Sequence, residues 1–373
     1  MIGLYIHIPF CVSRCHYCDF YRIAPLQQSL VDRFISALQI ELNNLPASFA
    51  PTTVFIGGGT PTSLSEKKLS QFFNVLQKSI DLSHVIEFSC EANPGTLTSE
   101  KCAVLRAGGV NRVSMGVQSF NDKSLKTLGR IHTSADAEKA FHQLRSAGFK
   151  QISIDLLQSI PGTSMEETLD DCRAALKLSP EHISSYNLIY EPDTKLTRQR
   201  DAGTLAEVDE DDEADRYFAV KEVFEKAGYE HYEISNFSKP SSHCLHNELY
   251  WKGGEYFGCG PAAHSHWNGG RFGNVEDLEQ YCDRLEAGTK PYENLEVLDP
   301  KEKARETLIM QLRMLEGVNL NAFQHQTGYS VSTLCGTVLD ELLEEKLLLK
   351  EANNLRLNPS SLFISNTVFS ALI

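Results

Sequence analysis

The sequence lacks the features that mark membrane-spanning and secreted proteins. It has no apolar run of about 18 residues, the length of a spanning helix. A strand pattern begins at the first residues, where a secreted protein carries a basic and apolar signal segment. Seven of the ten cysteines show no pairing rhythm: Cys90, Cys102, Cys172, Cys244, Cys259, Cys282 and Cys335. These absences favour a reducing compartment, the cytoplasm, and leave peripheral membrane association open.

Basic residues are also scarce. The chain has 35 lysines and arginines against 49 aspartates and glutamates, which gives a formal net charge of −14. This balance opposes tight contact with a phosphate backbone, so we expect no nucleic-acid partner. The acidic run at 207–215 is expected to be the solvated start of a helix, where the helix dipole favours negative charge.

The most informative feature is a C-x3-C-x2-C run formed by Cys11, Cys15 and Cys18, directly after a strand pattern. Three thiolates within eight residues can hold one corner of an iron–sulfur cluster, whereas structural zinc usually takes two ligand pairs from separate segments. A [4Fe–4S] cluster with three cysteine ligands leaves one iron open to a substrate or cofactor. The alternatives are a zinc site completed by His16 or Asp19, and three unconnected core thiols.

Strand and helix patterns alternate through residues 1–235. The strand patterns recur near 3–8, 53–57, 86–91, 111–116, 151–156 and 182–188, with helical patterns at 30–45, 65–79, 134–147 and 165–178. Connections of this length join parallel strands. We therefore expect an α/β fold with a partial (β/α)6 barrel of the TIM-like kind and reactive groups at its carboxyl-terminal rim. Candidates at strand ends are the cysteine run, 57–61, Glu91, Gln118 and Asp155, with Tyr5 just inside the first strand.

Two glycine-rich stretches need separate interpretations. The triplet at 57–59 is not followed by Gly-Lys-Ser/Thr, so it is not a Walker loop, and alone it is more often a tight turn. Its place after a strand, beside the cysteine run, favours a loop whose backbone N–H and C=O groups hold a ligand. The stretch at 258–263 matches G-x-G-x-x-A, but Pro261 interrupts it and no long parallel βαβ unit surrounds it. We expect a loop that caps the barrel mouth.

The motifs at 5–11, 57–61 and 115–118 resemble those of the radical S-adenosylmethionine (SAM) enzymes. Within that superfamily they are similar to the branch that contains oxygen-independent coproporphyrinogen III oxidase and the HemW-type heme chaperones, over nearly the whole chain. The resemblance implies a [4Fe–4S] cluster on the three cysteines and SAM on its open iron, with an external electron donor. It implies that SAM is contacted by Gly58, Gly59, Thr60, Tyr5, Glu91, Gln118, Arg130 and Asp155. Carboxylates suit the amino group and ribose hydroxyls of SAM, and Arg130 suits its carboxylate.

Two places in the sequence help to distinguish the oxidases from the heme chaperones. The oxidases carry a further cysteine where this chain has Phe20, and a longer N-terminal extension where this chain begins at the barrel. The stretch at 246–251, His-Asn-Glu-Leu-Tyr-Trp, matches the H-N-x-x-Y-W motif of the heme chaperones. The resemblance therefore implies a chaperone that transfers heme to acceptor hemoproteins, with the oxidase as the alternative. A third class is a zinc-stapled binding protein without redox chemistry.

The same motif supplies the expected heme ligand. An imidazole can bind heme iron, and the rings at 250 and 251 offer flat apolar faces. A lone histidine beside aromatics is more often a hydrogen-bonded core or surface residue, but the motif favours His246 as the ligand. Its rivals are His243, His264 and His266. No C-x-x-C-H occurs, so covalent heme attachment is not indicated.

Beyond about residue 290 the alternating pattern stops. Helical patterns at 299–316, 319–327 and 331–346 precede an apolar stretch at 347–357, in which Asn353-Asn354 is typical of a hairpin turn. We expect a small helical, winged-helix-like domain at 291–373, after a connector at 236–290 that carries heme or substrate contacts. In the domain at 291–373, lysines and arginines are interspersed with aspartates and glutamates, which predicts a lid or docking surface rather than a DNA-binding surface.

Overall fold

The computed structural model describes residues 1–24 and 27–373, and residue 294 by its backbone alone. Its main part is the predicted partial barrel of six parallel strands: β1 (Ile2–Ile8), β2 (Thr53–Gly58), β3 (Glu87–Ala92), β4 (Arg112–Gln118), β5 (Gln151–Gln158) and β6 (His182–Asn187). The helices between them are α1 (Gln28–Asn43), α2 (Glu66–Ser79), α3 (Ser99–Ala107), α4 (Asp122–Thr127), α5 (Ser134–Ser146) and α6 (Met165–Leu178). The predicted fold class is confirmed.

Alternate positions of each barrel strand face two environments. In β1, Leu4, Ile6 and Ile8 are fully buried in the hydrophobic core. Tyr5, between them, lines an interior cavity. The same period of two places Glu91 of β3 and Asp155 of β5 on the cavity side. The barrel therefore has an apolar outer layer under its helices and a polar interior.

The sheet continues beyond the six predicted strands at both edges. The following elements are α7 (Lys195–Asp201), α8 (Glu210–Lys226), β7 (Glu230–Glu233), β8 (Asn236–Ser238), α9 (Leu245–Trp251), β9 (Glu255–Cys259), β10 (His264–Trp267), β11 (Gly270–Asn274), α10 (Leu278–Glu286) and β12 (Tyr292–Val297). The order in the sheet is β12-β11-β10-β9-β1-β2-β3-β4-β5-β6-β8-β7. The acidic first turn of α8, capped by Asp209, confirms the predicted helix start.

The segment predicted as a connector, 236–290, thus contributes four strands to the large sheet, together with helices α9 and α10. Strand β9 pairs in parallel with β1, and β10 and β11 follow as antiparallel strands. Gly260, after β9, has φ of 98°, and a Cβ there would lie 2.4 Å from the carbonyl oxygen of His7. Its glycine therefore lets the end of β9 approach the end of β1. The stretch at 258–263 joins β9 to β10 and, in the described chain, contributes no residue to the cavity lining.

A second hydrophobic core lies in the C-terminal helical domain. Its elements are α11 (Pro300–Leu312), β13 (Val318–Asn319), α12 (Leu320–Thr327), α13 (Val331–Cys335), α14 (Thr337–Glu344), β14 (Leu348–Glu351), β15 (Asn354–Leu357) and α15 (Ser365–Leu372). Gly336, with φ of 54°, divides the predicted helix 331–346 into α13 and α14. The hairpin turn lies at Ala352 and Asn353, one residue earlier than predicted, because Glu351 pairs with Asn354.

The C-terminal domain packs against elements near both edges of the large sheet. Arg271 of β11 pairs with Glu306 of α11, and the amide of Leu315 donates to the carbonyl of Tyr232 in β7 at 3.0 Å. Among the described residues, none of the cavity lining comes from 298–373. The domain therefore supports the side of the barrel, and its contacts do not support the expected lid. Across the described ranges, no helix has the length and apolarity needed to cross a membrane.

Candidate functional site

All twelve candidate residues line one cavity inside the barrel. Its volume is about 490 Å³, within the range of small-molecule sites. The twelve are Tyr5, Cys11, Cys15, Cys18, Gly58, Gly59, Thr60, Glu91, Gln118, Arg130, Asp155 and His246. They come from five barrel strands, the loops that follow them, and α9. The fold thus brings together residues that lie up to 241 positions apart, from Tyr5 to His246.

The cysteine loop after β1 is held in place by its backbone. The amide of Cys11 donates to the carbonyl of Ile23 at 3.0 Å, and the amide of Ile23 donates to the carbonyl of Pro9 at 2.6 Å. Arg22 donates through Nη2 to the carbonyl of Cys18 at 2.6 Å. Burial raises the pKa of the Cys11 and Cys18 thiols. These contacts hold the loop that carries the three cysteines, all of which line the cavity.

The zinc alternative gains no support from the side chains beside the thiols. The ring of His16 lies between the carbonyl oxygen of Thr127, 2.8 Å from Nδ1, and the Nζ of Lys195, 3.0 Å from Nε2. Because the ammonium group donates to Nε2, both ring nitrogens are already used. Asp19 is exposed to solvent. Three thiols in one short loop fit a cluster with three cysteine ligands better than a closed four-ligand zinc site.

The glycine triplet is required by close packing. A Cβ at Gly57 would lie 2.9 Å from the carboxyl carbon of Glu91, and one at Gly59 would lie 2.7 Å from the carbonyl oxygen of Phe10. Gly58 has φ of 100°, which favours glycine. Because these residues have no side chains, the backbone at 57–59 can pass between the carboxyl group of Glu91 and the start of the cysteine loop.

The amides of this stretch are not free for a ligand, contrary to part of the sequence interpretation. Gly58 donates to Oε2 of Glu91 at 3.1 Å. Gly59 and Thr60 donate to the carbonyl groups of Ile8 and Phe10, at 2.8 and 2.7 Å. The carbonyl of Thr60 accepts from the amide of Ser63 at 2.8 Å, and its hydroxyl lies 3.4 Å from Sγ of Cys11. With these amides occupied, the stretch is not an anion site.

Two buried carboxyl groups give the cavity its electrostatic character. Burial and the nearby charge of Asp155 raise the pKa of Glu91 to about 8. Burial also raises the pKa of Asp155, although Ser114 donates to its two oxygens at 2.9 and 3.0 Å. A cation bound between these groups would relieve their mutual repulsion. The interior is thus suited to a positively charged ligand.

Arg130 links this interior to the cysteine loop. Its Nη2 donates to the carbonyl of Gly116 at 2.6 Å, and its Nη1 donates to Sγ of Cys15 at 3.3 Å. Its Nε is buried and has no partner among the described residues. At the end of β4, an irregular register leaves Gln118 with φ of 71°. This bulge brings Gln118 and Arg130 to the same side of the cavity.

His246 lies at the amino-terminal end of the barrel, against the first residue of β2. Its Nδ1 is 2.9 Å from Oγ1 of Thr53, and its Nε2 is 2.7 Å from the hydroxyl of Tyr250. The ring stacks on Phe55 with centroids 5.3 Å apart, and the residue is 0% exposed. Burial lowers its pKa to about 3. The prediction that His246 binds heme iron is not supported in this conformation, because neither ring nitrogen is free.

The three rival histidines differ in access. His243 lies between Glu248, 2.6 Å away, and Glu230, 3.3 Å away, and these carboxylates raise its pKa. His266 is buried, and its Nδ1 is bonded to the carbonyl of Gly254 at 3.0 Å. His264 is exposed on β10. None of the three lines the cavity within the described part of the chain.

Sequence interpretation missed several cavity residues. Ser114, Ser153 and Ser184 lie on the interior faces of β4, β5 and β6, and Tyr186 lies near the rim. Polar residues at every second position of otherwise apolar strands could have revealed them. Sequence interpretation also did not predict the apolar surface formed by Val12, Phe20 and Ile131. An apolar surface whose residues come from separate loops has no signature in sequence.

Two known protein families and several individual proteins are similar to this chain. Residues 5–175 match the model described as the radical SAM superfamily, and residues 298–364 match the one described as the HemN C-terminal domain. A heme chaperone HemW of Bacillus subtilis is 38% identical over 100% of this chain and 99% of its own length. One of Lactococcus lactis is 35% identical over 99% and 96%. This chain belongs to the HemW family of the radical SAM superfamily.

The fold of this HemW family member also resembles a solved structure over its whole length. Coproporphyrinogen III oxidase (HemN) from Escherichia coli, described as a radical SAM enzyme, matches with a TM-score of 0.87. The match covers 100% of this chain and 89% of that one, at 21% identity. At that identity the likeness establishes the fold. The HemN C-terminal match begins at residue 298, just after β12 ends.

Proposed function

We propose that this chain is a heme chaperone that binds a [4Fe–4S] cluster, SAM and heme, and delivers heme to acceptor hemoproteins. The observation that carries this proposal is the single cavity lined by all twelve candidate residues. The names of the relatives that are 38% and 35% identical support the heme part.

The cysteine loop is the proposed cluster site. Cys11, Cys15 and Cys18 would hold three irons, and Arg22 and the Cys11 to Ile23 hydrogen bond keep the loop in position. When bound, the cluster supplies one electron to the sulfonium of SAM, chemistry that belongs to the cofactor. The guanidinium of Arg130, 3.3 Å from Sγ of Cys15, stabilises thiolate charge there.

The interior is the proposed SAM site. Glu91 and Asp155 face the cationic ligand, which favours their ionised forms, and their oxygens accept hydrogen bonds from its amino and hydroxyl groups. The unpartnered Nε of Arg130 can donate to the carboxylate of the methionine part. Core residues under the helices enclose this space at its sides, and α9, held by Glu87, closes its amino-terminal end.

The setting of the protein is part of the proposal. The cytoplasm, where a reducing environment keeps cysteines available for a cluster, is the proposed location. An external electron donor is required to reduce the cluster, and acceptor hemoproteins receive the heme. Peripheral membrane association stays a prediction.

An oxygen-independent coproporphyrinogen III oxidase is the second candidate, favoured by the TM-score of 0.87. Phe20 argues against it, because the resemblance places a cysteine at that position in the oxidases. Its side chain is 63% exposed at the cavity mouth, so it replaces a thiol by an apolar surface.

The test is a heme-transfer assay. Anaerobically reconstituted protein is loaded with heme and mixed with the heme-free form of a b-type hemoprotein, while the acceptor's Soret band is followed. Free heme at the same concentration is the control. In parallel, the protein receives coproporphyrinogen, SAM and a reductant.

We expect the protein to bind about one heme per chain. The loaded protein should form correctly ligated acceptor faster than free heme does, and coproporphyrinogen should remain unconverted. Decarboxylation of coproporphyrinogen without stable heme binding would establish the oxidase instead.

A further inference from the structure

An exposed apolar surface surrounds the cavity mouth. It consists of five side chains, here called the mouth rim: Val12, Phe20, Ile131, Tyr186 and Ile189. Four of them line the cavity, and Ile189 follows two residues after β6 ends. Phe20 is 63% exposed and Ile189 is 66% exposed. Single exposed apolar residues are ordinary, but a group around one opening marks a binding surface.

Neither the cluster nor SAM explains the rim. The interior that suits SAM is polar and acidic, and the three cysteines line the same cavity. A ligand for the rim needs a broad apolar face to contact several of its side chains at once. Heme has such a face in its apolar macrocycle, together with two propionates.

The charges beside the rim suit propionates. Residues 11–24 contain two arginines and one aspartate, on a chain whose net charge is −14. Arg14 is exposed, and neither Arg14 nor Lys195 forms an ion pair within the described ranges. Lys195 lies beside the loop, because its Nζ is 3.0 Å from the ring of His16. Lys195 is thus held beside the cysteine loop, and Arg14 is an exposed residue of that loop.

We propose that heme seats on the mouth rim, with its macrocycle against Phe20, Ile131 and Ile189 and its propionates toward Arg14 and Lys195. This site rests on the proposed function, because it assumes that the chain binds heme at all. It replaces His246, which is 0% exposed at the far end of the barrel. A heme in this position covers the cavity, so SAM must enter before it.

The test is a heme titration of reconstituted protein, recorded as a difference spectrum, with zinc protoporphyrin fluorescence as a second probe. The variants are Ile131→Asp and Ile189→Asp, because a carboxylate is costly to bury under a macrocycle. The matched control is Leu295→Asp on β12, a residue 60% exposed and outside the cavity lining. Iron and sulfide content and the melting temperature are measured for each variant.

We expect both rim variants to weaken heme binding about tenfold or more, with cluster content unchanged and the control unaffected. Normal heme binding by both rim variants would overturn the proposed heme site. If these variants bound heme normally but failed to transfer it, the mouth rim would instead be a docking surface for acceptor proteins. Loss of heme binding on His246→Gln, with the rim variants intact, would also overturn it. Absence of heme binding by the unaltered chain would overturn the proposed function together with this site.

Discussion

The two ends of the barrel differ in how their buried ionisable groups are held. At the carboxyl-terminal end, buried carboxyl groups have raised pKa values and Arg130 keeps an unpartnered Nε within the described chain. At the amino-terminal end, Glu87 accepts hydrogen bonds from the first amides of α9, and Thr53 and Tyr250 bond both nitrogens of His246. Buried carboxyl groups with raised pKa values mark the end suited to a cationic ligand, and the hydrogen bonds of Glu87 and His246 fix α9 across the end that closes the barrel.

The difference changes how the H-N-x-x-Y-W motif is interpreted. In the structure its histidine and tyrosine bond to each other, and its tryptophan packs under Arg313 of the C-terminal domain at 4.3 Å. Helix α9 thus joins the floor of the barrel to the second core. A motif can be typical of a family because it builds the scaffold, and not because it touches the ligand.

The largest expected effect that tests this comparison is on stability. Tyr250→Phe removes the partner of Nε2 of His246 and leaves a buried nitrogen unsatisfied, which should lower the free energy of unfolding by about 1–3 kcal/mol. Denaturant unfolding of the purified protein measures it. SAM and heme affinities should change less than about twofold, because the effect is confined to the closed end.

The control for that substitution is Tyr329→Phe, a half-buried tyrosine in the C-terminal domain whose hydroxyl makes no hydrogen bond within the described residues. It should alter the unfolding free energy by less than about 0.5 kcal/mol. If Tyr250→Phe left stability unchanged but abolished heme binding, the closed end would be a ligand site.

A smaller effect is expected at the open end, in the pH dependence of SAM binding. Glu91, with its pKa raised to about 8 by burial and by Asp155, is largely protonated in the empty cavity below that pH. A cationic ligand favours the ionised form, so binding releases the proton. The dissociation constant should therefore fall as pH rises toward 8, by at most about tenfold per pH unit, and level off above it.

Calorimetric titration of the reconstituted protein with SAM between about pH 6 and 9 measures this dependence. Glu91→Gln is the control, because it keeps the size of the side chain and removes its titration. SAM itself titrates equally in both proteins, so the difference isolates Glu91. Equal pH dependence in the two proteins would mean that Glu91 does not face the bound cation.

Much of the fold could be predicted because the first six strands follow local rules. Their apolar faces, long connections and strand-end residues are all visible in sequence. These patterns predicted the candidate residues at the carboxyl-terminal end of the barrel. Strands β9–β12 were missed because β9 pairs with β1, more than 250 residues away, and contains Gly258 in place of a strand-forming side chain. Such pairing depends on tertiary contact alone.

The site was predictable in its membership and not in its detailed chemistry. The strand ends brought the SAM candidates together, but the amides of Gly58, Gly59 and Thr60 proved to be occupied within the protein. The hydrogen bond between His246 and Thr53 could not be predicted, because Thr53 lies on another strand, and heme binding by His246 stays an untested prediction. The mouth rim comes from three separate loops, and only the folded chain brings them together.

The most direct test of the account is electron paramagnetic resonance of the reduced, reconstituted protein before and after addition of SAM. If the open end holds a three-cysteine cluster beside the acidic interior, the cluster signal should shift when SAM binds the open iron. A cluster signal that saturating SAM leaves unchanged, in protein shown separately to bind SAM, would contradict the placement of both ligands in one cavity.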